Sequence, residues 1–157
     1  MTVLLMLCGL VFGFQSCNEK PKEKEQTVPV FNLIMDKAEI KAANKNFMEL
    51  VSVGNSIGLA NAYTIDAKFM SPGKPSVVGR ANIQTAMSNM ILSGITGVDL
   101  KLENIYITEN LIAEEGELIL FAGDNAVAVE KYMVLWKKED GKRKLFRDIF
   151  NSNLPIE

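Results

Sequence analysis

The chain has 157 residues with a formal charge of -2, which suits one domain with one core. It contains no histidine, and its two cysteines, Cys8 and Cys17, both lie near the start. Ser-His-Asp and Cys-His catalysis and a histidine metal site are therefore excluded by composition. With Lys and Arg unclustered, nucleic acid is not expected as a partner.

Residues Val3 to Phe14 form a nearly unbroken apolar run with no charge before Glu19. It is too short for a permanent span and has the length of a signal-peptide core. The following Phe14-Gln15-Ser16-Cys17 resembles a bacterial lipoprotein processing box, although Leu is usual where Phe14 stands. This resemblance implies a signal peptide over 1–16 and lipidation of Cys17. Residues 17–32 are polar and charged, with prolines at 21 and 29, and read as a flexible tether. A domain over 33–157 would then be lipid-anchored in a bacterial cell envelope, at the outer membrane or periplasmic face, with the anchor as its only membrane contact.

The first helix is expected from Asp36 to Val53. Ile40, Ala43, Phe47, Leu50 and Val51 form its apolar stripe, with Asp36 as N-cap and Glu39 at the capping-box position. Gly54 ends it, and Asn55 caps a short second helix from Ser56 to about Ala62 that makes contact through Ile57, Leu59 and Ala60. Ala67 to Met70 reads as a strand, with Asp66 before it bonding local backbone. Ser71 to Pro75 reads as a turn, Val77-Val78 as a short apolar run ending at Gly79, and Arg80 to Leu92 as a third helix with Ile83, Ala86, Met87, Met90 and Ile91 inward.

Four long strand candidates follow. In the first, the apolar phase slips from Val98, Leu100 and Leu102 to Ile105 and Ile107, which predicts a bulge near Glu103-Asn104. Leu111 to Phe121, Ala126 to Lys137 and Lys142 to Asn151 are the others, the last two joined by an Asp140-Gly141 hairpin turn. The expected fold is α+β: a cone-shaped domain with three N-terminal helices packed on a strongly curved antiparallel sheet.

The order of elements and its local phrases resemble the SnoaL-like and ketosteroid-isomerase-like group of the nuclear-transport-factor-two-like superfamily. The phrases are Val53-Gly54-Asn55, Leu59 to Tyr63, Asp66-Ala67, Pro72-Gly73, Val78-Gly79-Arg80, Lys131 to Trp136 and Arg147 to Ser152. The resemblance implies a pocket for a small hydrophobic ligand, without a cofactor or a metal. It also implies that the isomerase's tyrosine, base and second oxyanion donor are replaced here by Phe47, Ser71 and Met133, none of which can do that work.

The ligand-pocket candidates are Phe47, Tyr63, Met70, Ser71, Met87, Met90, Tyr132, Trp136 and Arg147. Candidate acid/base residues are Asp148, Asp66 and Tyr132. Alternation does not say whether Asp148 or its neighbour Arg147 faces the cavity, and the two could instead form an edge ion pair. The leading expectation is a non-catalytic small-molecule-binding or accessory domain. The alternatives are an isomerase, cyclase or hydratase-like enzyme with a non-standard acid/base set, and a homodimeric module that pairs through its outer sheet face.

Overall fold

The computed structural model describes residues 33–108 and 110–154. The expected signal peptide, tether and lipidated Cys17 lie outside the described residues. The elements run α1 (Leu33–Ser52), α2 (Ser56–Asn61), β1 (Tyr63–Met70), β2 (Val77–Val78), α3 (Arg80–Leu92), β3 (Gly97–Ile107), β4 (Leu111–Ala122), β5 (Asn125–Glu139) and β6 (Lys142–Ser152).

Local chemistry sets several of these boundaries. Asn55 caps α2 by accepting from the Gly58 amide at 2.8 Å. Gly79 opens α3 at φ 86°, a conformation that favours glycine, while its own amide donates to the Ala67 carbonyl at 2.8 Å. Asp140 and Gly141 both have positive φ, as a two-residue hairpin turn requires. Two details differ from expectation. Asp36 lies inside α1 rather than at its cap, and its carboxylate accepts from Arg143 of β6 at 3.0 Å. Ile57 is exposed, so α2 packs through Leu59 and Ala60 alone.

The sheet corrects the expected fold class. It is a six-stranded, open, mixed sheet in the order β2-β1-β6-β5-β4-β3, not a strongly curved antiparallel one. β1 runs parallel to β6, with Tyr63 opposite Leu145 and Phe69 opposite Asp148. The short β2 then pairs antiparallel with β1. The sheet is therefore extended sideways at the β6 edge instead of curling back on itself. A parallel pair between the first and last long strands leaves no mark in local alternation, because its partners are far apart in the chain.

The helices cover one face of the sheet: α1 packs on β3 and α3 on β1. That inner face carries Ile112, Glu114, Gly116 and Leu118 from β4 and Tyr132, Val134 and Trp136 from β5. The opposite face leaves Val129, Met133 and Ile149 exposed. An ionic clasp holds the β5–β6 hairpin to the helical side. The Glu139 carboxylate accepts from Lys144 at 2.9 Å, from the Ile65 amide at 2.9 Å and from Arg80. These donors, Lys144 foremost, pull the Glu139 carboxyl down to about 2.

The bulge predicted in β3 is present between Leu102 and Asn104, and it lies opposite Gly116. A Cβ built on Gly116 would sit 2.3 Å from the Lys101 carbonyl oxygen and 2.7 Å from the Tyr132 hydroxyl. Glycine is needed here for space: the hydroxyl end of Tyr132 and the Lys101 carbonyl occupy the place of a Cβ. Gly116→Ala is expected to cost about 1–3 kcal/mol, read as a lowered midpoint in urea unfolding. A midpoint equal to wild type would show that the backbone carbonyl can move aside.

Candidate functional site

A pocket of ≈ 80 Å³ lies between the helices and the inner sheet face. Its wall is almost wholly apolar, with Phe47, Val51, Phe69, Met87, Met90, Val134 and Phe150 among the contributors. Asn44, Tyr63, Glu130, Tyr132, Trp136 and Asp148 also line it. Ligand sites for drug-sized molecules usually hold about 300–1,000 Å³. This one is smaller, and a large ring system would fit only if side chains yield. Met87 and Met90, unbranched thioethers on α3, are suited to yield.

Behind the wall lies Glu114, fully buried on β4. It is opposite Val134, so its same-face diagonal neighbours on β5 are Tyr132 and Trp136. Both donate to it: the Tyr132 hydroxyl to Oε1 at 2.7 Å and the Trp136 indole N–H to Oε2 at 2.7 Å. From α1, the Asn44 amide donates to Oε1 at 2.5 Å. Burial raises the Glu114 carboxyl, and the three donors pull against that rise by favouring the ionised form. With three donors aimed at it, the group is suited to the carboxylate, which only accepts.

The second polar centre is Asp148 with Tyr63. The Tyr63 hydroxyl, fully buried at the start of β1, donates to Asp148 Oδ2 at 2.6 Å. Oδ1 makes no hydrogen bond among the described residues. Desolvation, partly offset by the Tyr63 hydrogen bond and reinforced by the negative Glu114, raises the Asp148 carboxyl to about 6. Asp148 and Glu114 flank Val134 in one row across the sheet, about 10 Å apart at the usual strand spacing. Burial, then the Asp148 charge, raises Tyr63 well above its ordinary value, so its proton stays on.

Asp148 faces inward because β6 is bulged. Trp136 pairs with Leu145 but Leu135 pairs with Arg147, leaving Phe146 as the extra residue. Leu145 and Asp148 thus share the inner face despite opposite parity in the sequence. Arg147 does not line the cavity and forms no ion pair with Asp148. Its guanidinium lies over the Phe146 ring at 3.6 Å and donates to the Asp66 carbonyl at 3.2 Å.

Of the expected pocket residues, Phe47, Tyr63, Met87, Met90, Tyr132 and Trp136 line the cavity. Met70, Ser71 and Arg147 do not. Asp66 is exposed and accepts from Thr64 Oγ1 at 2.9 Å, a local role outside the cavity. Met133, at the expected second-donor position, points to the outer face and is 46% exposed. Asn44, Glu114 and Glu130 are polar residues that sequence reasoning missed. Each had a signal, being a polar residue in phase with an apolar face: Asn44 with Ile40, Phe47 and Val51, Glu114 with Gly116 and Leu118, and Glu130 with Tyr132, Val134 and Trp136.

The fold has solved counterparts at low identity. An NTF2-like protein with a cystatin-like fold from Novosphingobium aromaticivorans superposes with a TM-score of 0.64 at 14% identity, over 77% of this chain and 84% of that one. A protein of unknown function from Mycobacterium tuberculosis gives 0.70 at 12% identity, over 83% and 79%. A ketosteroid isomerase-like protein from Erwinia carotovora atroseptica gives 0.64 at 16%, over 80% and 100%. No family model and no curated protein matches the sequence. At these identities the likeness shows an NTF2-like, cystatin-like fold alone and leaves the reaction to the site.

The raised Asp148 carboxyl has a consequence for stability. Its folded value, about 6, exceeds its ordinary value of 3.8. Between these limits the native state holds more protons than the unfolded state, so stability falls as pH rises through this window. The loss is on the order of 2–3 kcal/mol for this one group. Asp148→Asn is expected to flatten the fall in thermal midpoint between pH 4 and 6, leaving a smaller slope from Glu114 and Glu130, both also raised by burial. An unchanged slope would show that Asp148 titrates normally.

Proposed function

We propose that the domain binds a small, largely apolar molecule bearing a carbonyl or hydroxyl oxygen, and that Asp148 exchanges a proton with it. The observation that carries this reading is the Asp148 carboxyl on the wall of an apolar cavity, hydrogen-bonded by Tyr63 at 2.6 Å and raised to about 6. A carboxyl in that range holds both protonation states near neutral pH, which suits general acid/base work. The ionised form would take a proton from a carbon beside a carbonyl. The protonated form would return it to another carbon of the same molecule, or to a departing hydroxyl. The first outcome is an isomerisation and the second a dehydration; neither needs an external proton donor. The reading sets aside the isomerase arrangement, since Phe47 has no donor and Ser71 and Met133 lie away from the cavity.

Proton exchange is measured directly by following deuterium incorporation from heavy water into cyclopentanone by NMR. Wild type is expected to accelerate exchange, and Asp148→Asn to reduce that acceleration by about 100-fold or more. Tyr63→Phe removes a hydrogen bond that favours the carboxylate, so the pH–rate profile is expected to move to higher pH. Binding of the ketone with no exchange above background would overturn the catalytic part and leave a binding domain.

We also propose that the domain works at a bacterial membrane surface, held by acylation of Cys17. The support is the order of the sequence: apolar run, small residue before cysteine, then a charged stretch. Mass analysis of the membrane-extracted protein is expected to show a chain starting at Cys17 and carrying acyl groups, and Cys17→Ala to release the protein from membranes. An intact Met1 terminus with an unmodified thiol would refute it.

A further inference from the structure

The acid/base reading leaves one cavity group unused. Glu130 lies on β5 in register with Leu118 of β4 and Ser152 of β6, and it faces the cavity. It is only 8% exposed, and its Oε2 has no hydrogen-bond partner among the described residues. Its neighbour Lys131 belongs to the other face of the strand and donates to Asn153. A buried carboxyl oxygen with no donor destabilises the chain that carries it. The contrast with Glu114 is plain: one buried carboxyl meets three donors, while Oε2 of the other meets none among the described residues. Such a group calls for a donor from outside the described residues.

The rest of the wall says which donor. Among the described lining residues there are two carboxyl groups, Asp148 and Glu130, and no lysine or arginine. Asp148 stands opposite Val134, four residues along β5 from Glu130, which places the two about 13 Å apart along the strand. An anionic ligand would meet like charge at both ends. A molecule with a hydrogen-bond-donating end group would meet an unpaired acceptor at Glu130.

Building on the cavity reading above, we propose that Glu130 is the recognition residue for a donor-ended ligand: a small apolar molecule with an amine or hydroxyl that hydrogen-bonds Glu130 while its apolar body lies in the cavity. An alkylammonium end is preferred over a hydroxyl, because the contact is then charge-assisted on both sides. A carboxylate end is rejected.

The test uses three probes with one skeleton, hexylamine, 1-hexanol and hexanoate. Binding is followed through the fluorescence of Trp136, the only tryptophan, which lines the cavity. Wild type is expected to bind hexylamine about tenfold or more tighter than hexanoate, with hexanol between. Glu130→Gln is expected to remove most of that preference, and Asp148→Asn to keep it. Equal affinities in wild type, absence of hexylamine binding at millimolar concentration, or a preference that survives Glu130→Gln would each overturn the proposal. A second variant guards against misfolding. Glu130→Leu removes the unpaired acceptor, so its thermal midpoint is expected to rise by about 2–4 °C. A lowered midpoint would show that Glu130 serves the fold rather than a ligand. The outcome is separable from the proton-exchange experiment: loss of exchange with the amine preference intact removes the acid/base reading alone.

Discussion

The cavity depends on one buried carboxylate. Glu114 has no salt-bridge partner among the described residues and is held by three neutral donors from two layers of the structure: Asn44 from α1, and Tyr132 and Trp136 from β5. Removing any one donor leaves acceptor capacity unfilled in a buried site, which costs more than the same bond at the surface. The arrangement has two effects. It ties α1 to the sheet at a fixed height, and it orients the Tyr132 and Trp136 rings that form much of the wall. Gly116 belongs to the same device, since only a residue without a Cβ lets Tyr132 cross β4 at that point.

Glu114 also acts at a distance. Its negative charge adds to desolvation in raising Asp148, with the Tyr63 hydroxyl pulling the other way. The Asp148 carboxyl is thus set by burial and by two groups from other strands, Tyr63 of β1 and Glu114 of β4. In and behind the cavity wall, carboxyl groups stand in three conditions: Glu114 satisfied, Asp148 half satisfied, and Glu130 with an unpartnered oxygen. A core built only for stability would have apolar residues at the last two positions. Their presence is the physical argument that the pocket meets something other than itself.

Much of the scaffold was legible locally. The Arg80–Leu92 helix, the Asn55 cap, the Asp140-Gly141 turn and the bulge near Glu103 all rest on interactions within a few residues, and the structure shows each. The apolar residues of the wall, such as Phe47, Met87 and Trp136, followed from their helical or strand phase. The strongly curved antiparallel sheet did not, because it assumed that the late strands pair only with one another. The polar residues of the site were harder. Glu114 and Glu130 sit in phase with apolar faces, a signal easily passed over in strands rich in charge. Asp148 was undecidable, because the Phe146 bulge reverses the parity between Leu145 and Asp148.

By itself the sequence determined the element order, the turns and caps, and the apolar faces, since these follow from side-chain phase and backbone preference over short stretches. It also determined that any acid/base chemistry must work without histidine. Only the tertiary structure decided that β1 joins the sheet parallel to β6, and that Tyr63 thereby meets Asp148 across 85 residues of chain. It alone decided that Glu114 is enclosed by donors and that Glu130 is not. The reason is the same in each case. The ionisation and partnering of a buried group are set by what surrounds it from other strands and helices, and no window along the chain contains those neighbours.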